Sequence, residues 1–436
     1  MTARQNPAED VDASSTDRTN TRPQLIKKAP APPRKFRPLR WLAFGLLAVV
    51  ILVALAPTLV SKTALGDWLL AQLVPSAWGT VEVGRRDLGW WSPISVGAVR
   101  LKDADGELLA EIRSIQTKET LWQVITTAAV SELTVDQAAV RLEWRRDGSN
   151  WEDWLATALP KEPSKTSDQP TPDMTIHFND CQVILDSQTD VQTWIAEGLN
   201  GQVAVQKNAQ YILIQAKTNL KDADQNLAAG KCDATLVIAD QVGLTAAREQ
   251  WQLNTDDVQR FKVHTTTGGL AFMVTLDDMA VSVGRSILRR YMPTVEMSGL
   301  ATGQVVGLSN WYGDYVHVTT PKVVVNRLIM SDDTYLSGDQ LRLQQVETSG
   351  AMCLSPDRVR FQQLKLNADY VRSDIDGELT YDEVFQSLNT RRLPTTTISS
   401  SGAVNMAMLA NQLPKTLQLK DDLQLEQGDL TWQVFN

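Results

Sequence analysis

The chain has 436 residues, 43% of them hydrophobic, with 42 basic and 51 acidic side chains and a formal net charge of −9. That hydrophobic share is enough for a packed interior, while an acidic balance with no basic cluster beyond one N-terminal flank argues against nucleic acid as a partner. Three cysteines, Cys181, Cys232 and Cys353, exclude a disulfide framework and a double C-x-x-C metal motif.

Residues 1–38 are polar and charged and read as a disordered cytoplasmic tail. Residues 39–61 read as a transmembrane helix. Within them, Trp41 to Val60 is a run of 20 uncharged residues, the length a helix needs to cross a hydrocarbon core of about 30 Å. Arg22, Lys27, Lys28, Arg34, Lys35, Arg37 and Arg40 precede it, and only Lys62 and Asp67 follow closely. The positive-inside rule then puts the N-terminus in the cytoplasm and about 375 residues outside it. The expected location is the inner (cytoplasmic) membrane, single-pass, with the bulk periplasmic or otherwise extracytoplasmic. A cleaved signal peptide fits less well, because the apolar run is long, starts after a tail of about 40 residues and lacks a small-residue cleavage site.

Residues 62–159 form the next expected region. Thr63 to Leu73 has helical spacing, with Leu65, Trp68, Leu69 and Leu73 on one face. From Gly79 the period changes to two: Val81 and Val83 flank Glu82, and Val99 and Leu101 flank Arg100. Strands are expected at Leu108 to Lys118 and Val140 to Trp144, and short helices at Leu121 to Thr127 and around Trp151 to Leu155. Residues 160–173, rich in Pro, Ser and charge, read as a flexible loop.

Residues 174–436 form the last region. Val203/Val205, Leu341/Leu343, Leu364/Leu366, Leu423/Leu425 and Trp432/Val434 each flank a polar or small residue, as expected for antiparallel strands with one apolar and one wet face. These ten residues are the candidate apolar face, with Arg342, Lys365, Gln424 and Gln433 pointing the other way. Helix, proline and strand follow one another at Ser286 to Pro293 and again at Val404 to Pro414, a weak internal repeat about 120 residues apart.

The run Gly79 to Ile112 (GTVEVGRRDLGWWSPISVGAVRLKDADGELLAEI) resembles the start of AsmA-like and TamB-like envelope proteins, with their W-x-P-I strand and V-x-L-x-D-x-x-G-x-L-L piece. Asp147 to Leu155 (DGSNWEDWL) is similar to a second motif of that family. The likeness covers about Trp41 to Leu155. It implies a mainly β fold: a transmembrane helix followed by an elongated, twisted, mostly antiparallel trough, a chorein-type β-groove with a few short helices. It also implies a role in envelope lipid transport or outer-membrane assembly, with membrane lipids and other envelope proteins as partners. This chain departs from the family in being short. Alternation alone does not separate an open trough from a closed sandwich, since both require period two.

No catalytic, cofactor or metal residues are expected. His177, His264 and His317 lie far apart in strand-like segments and read as exposed, and no phosphate-binding or nucleophile-elbow motif occurs. Asp222 with Asp224, and Asp332 with Asp333, read as turn residues. The main expectation is a membrane-anchored, non-enzymatic protein holding lipid acyl chains. The alternative is a tethered assembly module that binds a protein by strand addition at a sheet edge.

Overall fold

A computed structural model describes residues 38–63, 79–127, 129–145, 147–158, 173–188, 192–206, 211–225, 227–239, 269–289, 292–310, 315–380, 398–419 and 425–434. The expected tail, the helix at Thr63 to Leu73 beyond Thr63, nearly all of the loop at 160–173, His264, Leu423 and Gln424 lie outside these residues. The chain divides into two compact units, Met1–Val53 and Ala54–Asn436.

Helix α1 spans Pro38–Lys62 and contains Pro57. Its side chains are described from Leu46 onward, and Leu46, Val49, Val50 and Leu52 are exposed. Among the described residues no helix is long and apolar enough to cross a membrane. Of the Trp41 to Val60 run, the side chains are described from Leu46.

The second unit is dominated by one open sheet of sixteen strands in sequence order. The strands are β1 (Thr80–Asp87), β2 (Pro93–Lys102), β3 (Leu108–Thr120) and β4 (Glu132–Trp144). Then come β5 (Met174–Ser187), β6 (Gln192–Gln206), β7 (Tyr211–Asp222), β8 (Leu227–Ala239), β9 (Gly269–Ala280) and β10 (Glu296–Asn310). The last six are β11 (Val316–Ser331), β12 (Gln340–Leu354), β13 (Arg358–Ala368), β14 (Val371–Thr380), β15 (Ile398–Asn405) and β16 (Asp429–Val434). Every neighbouring pair is antiparallel except β4 with β5, which is parallel. That pair carries the sheet across residues 160–173 without a break.

Among the described residues four short α-helices sit at strand ends: α2 (Leu121–Thr127), α3 (Asn150–Ala158), α4 (Arg285–Leu288) and α5 (Met406–Gln412). α5 starts two residues later than the sequence periodicity suggests. Val404 and Asn405 still pair in β15, and the Asn405 carboxamide accepts a bond from Met408 N at 2.9 Å, which sets the helix N-terminus. The strand expected at Leu423 and Leu425 does not include Leu425, which precedes the turn into β16. Upstream, Leu417 and Leu419 bond back to Leu413 and Pro414, so this stretch is a turn that cannot join the ladder.

The strands are kinked in rows. Ala98, Gln137 and Asp180, at φ of 53°, 53° and 50°, occupy matching places in β2, β4 and β5. Their side chains and neighbours form a polar ladder. Arg113 donates to the Gln137 carboxamide, Gln137 Nε2 to Asp180 Oδ2 at 3.1 Å, and Asp180 N to Asn200 Oδ1 at 3.0 Å. A left-handed residue turns the next side chain to the face its predecessors used. Ile112 and Ile115, Val135 and Ala138, and Phe178 and Cys181 are each three apart, yet all pack in one cluster.

Candidate functional site

The register defines one apolar face along the sheet, because directly paired residues point the same way. Ile176 pairs with Val203, Val203 with Ile214, Ile214 with Leu236, and Leu236 with Phe272. Phe272 pairs with Gly307, Gly307 with Val318, Val318 with Met352, and Met352 with Phe361. A second row starts from Thr218, on the same face of β7 as Ile214. It runs through Cys232, Leu276, Gly303, Val323, Thr348 and Leu366 to Ser373, Gly402 and Trp432. Two aromatic rings lie over facing glycines in these rows. A Cβ on Gly307 would stand 2.1 Å from the Phe272 ring, and one on Gly402 2.2 Å from that of Trp432.

Val203, Val205, Leu364, Leu366, Trp432 and Val434 therefore share this face. Leu341 and Leu343 join it through the cluster of Leu343, Val346, Tyr370 and Val404 that also takes in Trp432. Between Leu343 and Val346 the strand kinks: the Asp369 carboxylate accepts from both Gln344 N (2.5 Å) and Gln345 N (3.2 Å). Leu425 lies outside any strand. Arg342, Lys365 and Gln433 are on the opposite face and exposed.

Burial divides the face into two parts. Across β5 to β13 the row from Ile176 to Phe361 is half-buried, apart from Gly307, which is buried under the Phe272 ring. Near β12 to β16, helix α5 covers it, with Met406 and Leu409 packed on the cluster that contains Leu343, which is 8% exposed. α5 is held by Gln412, whose carboxamide oxygen accepts from Arg342 N at 2.6 Å and from Tyr370 Oη at 3.1 Å. Burial there pushes the Tyr370 hydroxyl up to about 12.

The reverse face is charged over much of its area. Lys102 pairs with Glu82 at 2.6 Å, Lys217 with Asp233 at 2.7 Å and Lys322 with Glu347 at 2.8 Å. It is not wet throughout. Val237, Ala239, Ala271, Leu308 and Tyr315 form a buried cluster on it, with Leu213 and Cys353 alongside. His317, paired with Leu308 and Cys353, is buried there and not exposed as expected. The signal was present in the sequence. YILI, TLVIA and AFMV are consecutive apolar runs, which mark strands buried on both faces, where one-face-wet strands alternate.

The remaining candidates fall into structural roles. The Asp222 carboxylate accepts from Asp224 N and Gln225 N at 2.9 and 3.1 Å, and Asp332 accepts from Thr334 N and Tyr335 N at 2.8 and 2.7 Å. Those amide bonds, that from Tyr335 first, hold the Asp332 carboxyl below its ordinary range. Arg285 and Arg289 both bond Glu296, so they do not form an open phosphate site; Arg290 is outside the described residues. Cys181 and Cys232 stand on β5 and β8, three strand spacings or about 14 Å apart, twice the reach of a disulfide. Both are free, and burial pushes both thiols up. Among the described residues no three His, Cys, Asp or Glu side chains converge as metal ligands. No protein-family model, no curated protein and no solved structure matches the chain.

Proposed function

We propose that the chain is an AsmA-like, membrane-anchored envelope protein whose open apolar face holds lipid acyl chains, with α1 as the single membrane span. One observation carries this reading: an apolar row, directly paired through nine strands from Ile176 to Phe361, that is neither covered like a core nor polar like a surface. Strongly twisted open sheets rarely exceed about ten strands without curling, splitting or flattening, and in this reading the sheet of sixteen curls around the apolar face into a trough. Monomeric proteins rarely expose contiguous apolar patches beyond a few hundred Å². An acyl chain laid in the trough would keep about 0.8 kcal/mol per CH₂ of apolar burial. The 20-residue apolar run of the sequence supports the anchor.

The test is organic extraction of the purified full chain followed by mass spectrometry. Phospholipid in stoichiometric amount is expected from wild type, with strong depletion in a folded Leu366→Asp variant. Leu366 is on the apolar face and 36% exposed, so the empty protein can hydrate the carboxylate whereas a lipid-filled one must desolvate it. Lipid content unaffected by the substitution would overturn the reading. A second reading, strand addition by a protein partner, is favoured by the open topology, in which β1 and β16 are each paired on one side only among the described residues. A protein carrying no lipid but a bound extended peptide would select it.

A further inference from the structure

The first hairpin of the sheet carries an aromatic patch that the acyl-chain face does not use. Trp91 is 80% exposed, Trp122 50% and Ile125 58%. The patch is preorganised. Trp122 packs between Trp90 (ring centroids 6.3 Å apart, edge to face) and Trp91 (6.2 Å). Leu121 N and Trp122 N donate to Gly89 O and Trp90 O, both at 3.4 Å, tying α2 to the β1–β2 loop. α2 has no charged residue in its first or last turn and no buried one, and the Thr126 and Thr127 hydroxyls bond its own backbone. This leaves an apolar, indole-rich tip held in one conformation.

Resting on the membrane-anchored reading above, we propose that Trp91, Trp122 and Ile125 dock into the headgroup layer of the same bilayer and fix the first strands of the sheet against it. Indole is the side chain of the bilayer interface, with an apolar body for the acyl boundary and an N–H for the headgroups. The position in the chain allows this: β1 enters the sheet at Thr80, beside the β2–β3 turn, and the 18 residues from Lys62 (80 − 62) reach about 60 Å when extended, more than the roughly 26 Å length of β1 that separates this entry from the tip. The area argues against a second copy or another protein. A Trp buries about 150–250 Å² in full, so the exposed parts of these three side chains offer about 400 Å², half of the roughly 800 Å² per partner of a standard interface. An interfacial patch needs no such area, because the anchor already supplies a high local concentration of bilayer.

The test uses the full chain, with its three cysteines replaced by serine, in nanodiscs of phosphatidylethanolamine and phosphatidylglycerol. A nitroxide is attached at Ile125→Cys, at Val49→Cys in α1, or at Asp105→Cys in the opposite β2–β3 turn. Collision with oxygen and with a water-soluble nickel chelate reads the depth of each label. The Val49 and Ile125 labels should favour oxygen and the Asp105 label nickel. Adding Trp91→Ser with Trp122→Ser should bring the Ile125 label to the nickel accessibility of the Asp105 label and leave the Val49 label unchanged. An Ile125 label open to nickel while Val49 reads lipid overturns the docking and spares the anchor. One shielded from both reagents means a protein partner and also overturns it. A Val49 label open to nickel removes the anchored reading and the docking with it.

Discussion

Leu343 and Leu366 point to the same face of the sheet, yet a charge should have opposite consequences at the two positions. Leu366 is 36% exposed, and Leu343 is 8% exposed beneath α5. Leu343→Asp buries an unpaired carboxylate and should unfold the protein, whereas Leu366→Asp should cost less than about 1 kcal/mol; urea melts of the two variants check this. Gly307 and Gly402 are constrained by the rings above them. Alanine at either overpacks Phe272 or Trp432 and should destabilise by about 1–3 kcal/mol, read by the same melts. Tyr370 gives a pH signature. Its hydroxyl ionises at about 10 in the unfolded chain and about 12 in the folded one, because burial and the nearby Asp369 disfavour the phenolate. Between these values the native state holds a proton that the unfolded state has lost, so stability falls as pH rises. The contribution is complete below pH 10 and gone above 12. Tyr370→Phe should remove that slope from a plot of denaturation midpoint against pH.

At the scale of the element, α5 decides which part of the apolar face is closed. Its N-cap is Asn405, whose carboxamide bonds Met408 N. Asn405→Ala should cost about 1 kcal/mol and raise amide exchange in α5 and in β12 near Leu343, while leaving β6 and β7 unchanged. The strands show the same division between local and distant control. Period two predicts side-chain direction correctly for Leu364 to Leu366 in β13 and throughout β16. It does not carry across Ala98, Gln137, Asp180, Asp278, Arg327 or Gln363, all left-handed within strands. These residues are not glycines, and their kinks are held by cross-strand bonds such as that between Asp278 N and Thr302 Oγ1 at 3.1 Å. A bond between residues 24 apart leaves no trace in a local period.

On the scale of the whole molecule, sixteen strands joined in sequence order make a fold whose contacts are mostly between neighbours. Among the described residues its two ends, β1 and β16, are open edges. In the anchored reading, a reporter fused after Asn436 should be active only outside the cytoplasm and one fused before Arg22 only within it; the reverse pattern would remove the anchored reading. The aromatic tip at Trp91 and Trp122 stands at the β1–β2 end of the sheet, where docking would hold it near the bilayer. The lipid face and the tip are separable, so loss of one in a variant should leave the other measurable.

By itself the sequence determined the β class, the short helix α2 and the common direction of Val203, Val205, Leu364, Leu366, Trp432 and Val434. Alternation and turn chemistry act over a few residues and are written locally. Only the tertiary structure decided that residues on both sides of 160–173 share one sheet, since the parallel β4–β5 pair joins segments about 43 residues apart. It alone distinguished the open Leu366 from the covered Leu343, because burial depends on α5, some sixty residues downstream. It likewise dried part of the reverse face and buried His317. Period two reports which way a side chain points; what lies over that face is set by chain that is distant in sequence and close in space.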